Sequence, residues 1–201
     1  MLILTSNGLS TENLRESVKQ YFANKLRAVI VTTASVEYKE SDWHIPRLTQ
    51  ELSYFNLSVD FFDFDSDDLD KLLDYDVVLI NGGNPFYLLK SIKAHNAIDV
   101  LIKVAQVKIL IGVSAGSIVL QNNINLIAGY SPEMNENVNL NDLTGLSLTN
   151  IQILPHYNRF INKFENFEER AKLFEKESDC SVIRINDGQA VLDIDGIIEL
   201  I

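Results

Sequence analysis

Short apolar runs alternate along this chain with longer stretches in which apolar residues recur every three or four positions. The runs predict strands at Leu2–Thr5, Ala28–Thr32, Val59–Phe64, Val77–Ile80 and Lys108–Gly112. Helical spacing covers Glu12–Asn24, Ile45–Phe55, Leu69–Leu73 and Pro85–Val104. Strands that are continuously apolar, rather than alternating, are the mark of parallel strands buried on both faces. The alternation therefore predicts an α/β fold with an open, mostly parallel sheet and helices on both faces. A closed (β/α)₈ barrel is the second architecture, but it needs more strand–helix pairs than 201 residues usually supply.

Local signals support these boundaries. Asn84-Pro85 sets a capping side chain and a first-turn proline at the start of a helix. Ser41-Asp42 can begin the helix expected to carry Trp43. After Gln121 the pattern changes. Residues Asn122–Asn150 are rich in Asn and poor in periodicity, so they read as a long surface excursion, a kind of segment that is usually functional. A strand at Ile151–Leu154, a charged helix at Glu165–Lys176 and a strand at Ser181–Ile185 follow. Asn186-Asp187-Gly188 forms a turn, and Ala190–Asp193 with Gly196–Leu200 reads as a C-terminal β-hairpin. With no repeat or low-complexity linker in view, a single α/β domain over 1–201 is expected.

Composition narrows the function classes. A formal net charge of −11 argues against a nucleic-acid surface and against anionic lipid, both of which need concentrated Lys and Arg. One cysteine, Cys180, excludes an intramolecular disulfide and zinc sites built from several thiolates. The apolar Met1–Leu4 run is too short for a signal-peptide core, and no apolar stretch is long enough to span a bilayer. A soluble cytoplasmic protein is the expectation. Asp63-Phe64-Asp65-Ser66-Asp67 opens like a calcium loop, but Asp68 stands where the turn glycine belongs, so these carboxylates read as a solvated face.

Chemistry concentrates at Gly112-Val113-Ser114-Ala115-Gly116, where an apolar run ends in Gly-x-Ser-x-Gly and passes into a helix-competent stretch. That is the layout of a nucleophile elbow, in which a sharp strand-to-helix turn lifts a serine out of the sheet. An ordinary glycine-rich loop would carry the same letters, and the strand and helix around it favour the elbow. A serine nucleophile needs a base in hydrogen-bond reach and a group that orients the base. His44 falls in an early amphipathic helix and His95 near a helix end, where packing or solvent explains them. His156 sits just past a strand, at the edge where open α/β sheets place their sites, and is the candidate base. For the carboxylate, Asp187 in the turn after Ser181–Ile185 competes with Glu133 in the long loop, and an Asp-Gly turn is also an ordinary structural signal. The oxyanion hole calls for the N–H of Ala115 and a second one, for which Gly83 in Asn81-Gly82-Gly83-Asn84 is the choice.

These blocks, taken in order with Leu154-Pro155-His156-Tyr157 and Val182-Ile183-Arg184-Ile185-Asn186-Asp187-Gly188, resemble the dipeptidase E and cyanophycinase-like serine peptidases over most of the chain. The resemblance implies a fold similar to class I glutamine amidotransferases, with Ser114 as nucleophile and His156 as base. It also implies a small-peptide substrate and no cofactor or metal. An acidic third member aligns with Asp187, and Glu133 is the nearest match to an acidic residue in the loop after the nucleophile. Where the aspartyl dipeptidases hold a substrate-binding arginine, this chain has Phe167, followed by Glu168-Glu169-Arg170. A strong preference for aspartyl peptides is therefore not expected. The competing expectation is a non-catalytic ligand-binding or regulatory member that keeps the elbow without turnover.

Overall fold

A computed structural model describes residues 1–201. Nine strands form along the chain: β1 (Leu2–Thr5), β2 (Arg27–Val31), β3 (Ser58–Phe62), β4 (Val77–Ile80), β5 (Ile109–Val113), β6 (Gln152–Leu154), β7 (Val182–Arg184), β8 (Ala190–Ile194) and β9 (Ile197–Leu200). Seven of them make one sheet in the order β3-β2-β4-β5-β1-β8-β9. Its first five strands run parallel, and the β8–β9 hairpin joins antiparallel along β1. The open, mostly parallel sheet and the C-terminal hairpin are thus as expected, and the barrel is excluded.

Burial explains the order. The central strands β1, β4 and β5 are buried at every position, as their uninterrupted apolar runs require. β3 and β9 form the edges and are largely exposed, and Asp60 and Glu199 put charge there, which discourages strand addition. Alternate side chains of the strands feed two apolar cores, one on each face: Leu4, Val29, Ile80 and Leu110 on one, Ile3, Ile30, Leu79 and Ile111 on the other.

The helices are α1 (Glu12–Val18), α2 (Ile45–Ser53), α3 (Pro85–Ala94), α4 (Ile98–Val107), α5 (Ala115–Val119), α6 (Asn125–Tyr130), α7 (Tyr157–Phe160) and α8 (Phe167–Ser178). Five expectations need correction. The Pro85–Val104 stretch is two helices, because Asn96 turns left-handed at φ 57° between α3 and α4 while apolar spacing continues across the break. Leu69–Asp74 winds as a 3₁₀ helix. The Asn122–Asn150 segment is not a plain surface loop: it contains α6 and a 3₁₀ turn at Pro132–Asn135, and buries Leu126, Val138 and Leu146. Trp43 and His44 precede α2 rather than lying within it. The acidic run is not a solvated face either. Lys39 pairs with Asp63 and Asp65, and Tyr87 and Ser91 donate to Asp65.

β6 and β7 stand apart as a two-stranded parallel sheet covered by α8. Arg184 on β7 is clamped by Glu175, 2.5 Å away, and by Glu168 at 3.0 Å, both on α8. Cys180 is half-buried beside this unit, and burial pushes its thiol pKa up, which suits packing rather than nucleophilicity. No helix is long and apolar enough to cross a membrane.

The backbone approaches closely where α5 crosses β4. A Cβ on Gly116 would collide with the Ile80 carbonyl, and one on Gly112 would press on the backbone of Ser117. Gly116→Ala is therefore expected to cost about 1–3 kcal/mol by overpacking. Thermal unfolding of this variant should show a clearly lowered Tm, and an unchanged Tm would contradict the contact.

Candidate active site

Three neighbouring strands end at one point. β5 lies between β4 and β1, so the residues after each meet at the C-terminal edge: Asn81-Gly82-Gly83 after β4, Ser114 after β5, and Ser6 after β1. Ser114 joins β5 to α5 with φ 49° and ψ −107°, the sharp turn the Gly-x-Ser-x-Gly pattern predicts. A non-glycine residue in that region carries strain of about 1–3 kcal/mol and needs surrounding structure to hold it. Here β1 does so. The Ser114 N–H donates to the Thr5 carbonyl at 3.0 Å, and the fully buried Ser117 hydroxyl donates to the same oxygen at 2.9 Å. The Thr5 N–H in turn donates to Ser117 Oγ.

The small sheet brings the other two groups as a unit. Parallel pairing sets Leu154 opposite Arg184, so the chains leaving β6 and β7 emerge side by side carrying His156 and Asp187. The ladder runs on through Ile185, which bonds Leu154 and Tyr157, and the Asp187 N–H donates to the Asn158 side chain at 3.0 Å. His156 itself is left-handed, at φ 57°. Its Nε2 lies 2.9 Å from Ser114 Oγ, and its Nδ1 lies 2.6 Å from Asp187 Oδ1. With Nδ1–H donated to the carboxylate, Nε2 is left as an acceptor for the serine hydroxyl. Burial pulls the imidazole pKa below its ordinary value, against the raising influence of the Asp187 carboxylate.

The other predicted residues are placed as follows. Gly83 and Ala115 border the same cavity as Ser114. The Gly83 N–H makes no backbone hydrogen bond, and its φ of +142°, with the Ala34 carbonyl where a Cβ would sit, requires glycine. Glu133 is exposed on the 3₁₀ turn and makes no side-chain hydrogen bond to His156, whose Nδ1 is occupied by Asp187. Phe167 is buried at the first position of α8 and lines the cavity, and Arg170, one turn on, reaches its rim. His95 caps α3, with Nδ1 3.0 Å from the Ser91 carbonyl oxygen. His44 pairs with Asp42 on the far side of Ser114, in a second and more polar concavity that also holds Trp43, Arg47 and Arg159.

Ser6 was not foreseen. Its hydroxyl donates to Asp187 Oδ1 at 2.6 Å and accepts the His156 backbone N–H at 2.8 Å, so it ties the small sheet to the main one at the site. The available signal was positional: Ser6 follows the first apolar strand as Ser114 follows the fifth.

Comparison with known proteins identifies the class as serine peptidases of open α/β fold, similar to class I glutamine amidotransferases. The chain belongs to peptidase family S51, whose family model matches residues 2–201. It is 29% identical over 162 residues to an uncharacterized peptidase of Listeria monocytogenes serovar 1/2a, Lmo0363, covering 78% of each chain. It is 30% identical over 92 residues to an uncharacterized peptidase of Pasteurella multocida, PM1590, spanning 45% of this chain and 44% of that one. The crystal structure of a candidate peptidase E from Listeria monocytogenes EGD-e superposes with a TM-score of 0.75 at 25% identity, covering 100% of this chain and 96% of the other. A peptidase from an acI-B1 Actinobacterium shares the fold, with a TM-score of 0.70 at 21% identity over 94% of this chain and 81% of its own.

The burial of His156 has a direct readout. In an NMR titration its imidazole should have a midpoint below the ordinary value of about 6.5. Asp187→Asn removes the raising influence and should move the midpoint lower still. A wild-type midpoint at or above the ordinary value, or an upward shift in the variant, would contradict this electrostatic picture.

Proposed function

We propose that this serine peptidase is a small-peptide exopeptidase, a dipeptidase in its simplest form, working through Ser114, His156 and Asp187. The observation that carries the reading is the unbroken hydrogen-bonded chain from Ser114 Oγ to His156 Nε2 and from His156 Nδ1 to Asp187. His156 accepts the Ser114 proton as Oγ attacks the substrate carbonyl carbon, and Asp187 stabilises the imidazolium that forms. The oxyanion is received by the N–H groups of Gly83 and Ala115. When the C–N bond breaks, His156 returns the proton to the leaving amine and an acyl-enzyme on Ser114 remains. Water, deprotonated by His156, then attacks the ester carbonyl and frees the acid and the serine.

Access supports short substrates. The site lies between two concavities rather than along an open groove, with the 3₁₀ turn at Pro132–Asn135 contributing Met134 to one side. On the other side the exposed Arg159, 3.6 Å from Asp187, offers positive charge to the free carboxylate of a short leaving group. A binding protein that retains the elbow is the alternative. It gives no reason for a partly buried histidine held between a serine and a carboxylate.

Steady-state turnover of a cleavable dipeptide tests the assignment. Ser114→Ala and His156→Ala should abolish it, and Asp187→Asn should lower kcat roughly 10⁴-fold by releasing the imidazole from its tautomer. Glu133→Gln should affect KM more than kcat. The reverse ranking of the two carboxylate variants would move the orienting role to Glu133.

A further inference from the structure

We propose that Ser6 is a positioning residue of the catalytic machinery, holding the Asp187 carboxylate on His156 Nδ1 so that Nε2 stays an acceptor for the Ser114 hydroxyl. This rests on the serine-peptidase reading above and adds a fourth side chain to it. Ser6 is fully buried just past the end of β1. Its hydroxyl has one proton to give and two lone pairs. The His156 backbone N–H donates to it at 2.8 Å, and it donates to Asp187 Oδ1 at 2.6 Å. His156 Nδ1 is also near, at 3.2 Å, but its own proton goes to the same Oδ1. The carboxylate is therefore the acceptor left for the Ser6 proton.

The carboxylate needs that hold. Asp187 sits in the turn between β7 and β8, and the hydrogen bonds to its side chain come from two donors, the imidazole and Ser6, both on Oδ1. Its second oxygen lies 3.6 Å from the guanidinium of Arg159, a side chain 58% exposed. A carboxylate released from Ser6 is free to turn toward that cation and the solvent, and so away from Nδ1. The imidazole cannot prevent this by itself, because it is the group that the carboxylate has to orient.

The place of Ser6 in the fold points the same way. Thr5 and Ser6 are consecutive residues at the end of β1. The Thr5 carbonyl receives the Ser114 N–H and the Ser117 hydroxyl, which sets the elbow, while Ser6 grips the two residues brought by β6 and β7. One strand end thus sets the nucleophile, on the main sheet, against the base and its carboxylate, on the small one. Ser6 makes no hydrogen bond to Ser114, so its influence on the reaction runs through Asp187 and His156.

The test is the rate at which a simple fluorophosphonate modifies Ser114 in the native protein, a reaction that uses the imidazole as base whatever peptide is cleaved. Ser6→Ala should react about 10- to 100-fold more slowly, the usual worth of a hydrogen bond to a charged group. In an Asp187→Ala background the same substitution should cost less than about threefold, because its partner is already gone. A residue that merely props the fold would give equal losses in both backgrounds. That result would overturn the proposal, as would a wild-type rate in folded Ser6→Ala. Proton NMR gives a second readout: the His156 Nδ1–H resonance, far downfield in the wild type, should move upfield or broaden in Ser6→Ala, and an unmoved resonance would overturn the proposal too. Should Ser6→Ala lose its native near-UV circular dichroism, Ser6→Cys, whose thiol is a weaker donor, takes its place, with a slower rate and the same dependence on Asp187 expected. No modification of folded wild-type protein would overturn the serine-peptidase reading and this inference with it.

Discussion

The rest of the site depends on one backbone turn, Ser114 at φ 49° and ψ −107°. No serine adopts that geometry for its own sake, because the conformation is sterically costly for a residue with a Cβ. It persists because three features leave the chain no cheaper path. β5 is locked between two parallel neighbours, glycines at 112 and 116 let α5 lie against the sheet, and Thr5 binds both Ser114 and Ser117. The turn raises Oγ above the sheet edge and starts α5 at Ala115, which borders the same cavity.

A raised serine needs its partners on a separate support, since the neighbouring strand ends are occupied by the glycine loop and Ser6. The β6–β7 unit supplies one. Its two parallel strands fix His156 and Asp187 relative to each other, and the Arg184 clamp to α8 holds the unit together, pulling the Glu175 carboxyl pKa down to about 2. Ser6 then joins this unit to β1. The same α8 that braces β7 also begins with Phe167, so the support of the histidine and the wall of the apolar cavity are one element.

The central sheet was legible because parallel strands buried on both faces leave uninterrupted apolar runs, and five such runs stand at β1 to β5. The elbow was legible because its glycines, its strand and its helix are contiguous. What escaped depends on contacts between distant residues. The break between α3 and α4 is a single left-handed Asn96 inside continuous apolar spacing. Asn122–Asn150 looked polar, yet Leu126, Val138 and Leu146 are enough to anchor it in the cores. That β6 and β7 leave the main sheet is encoded in pairing rather than in composition. Ser6 is 150 residues from His156 and 181 from Asp187, and nothing local marks it as their neighbour. The sequence favours Asp187 over Glu133 by its turn after a strand at the sheet edge, and in the structure Asp187 lies beside His156 while Glu133 is exposed.

The central claim is that the elbow presents Ser114 to a neutral His156 as a nucleophile. Its most direct test is reaction of the native protein with a simple fluorophosphonate, followed by intact mass measurement and peptide mapping. The account predicts a single adduct, located on Ser114, that fails to form in folded His156→Ala. Folded wild-type protein that stays unmodified, or an adduct on another serine such as Ser6, would contradict it.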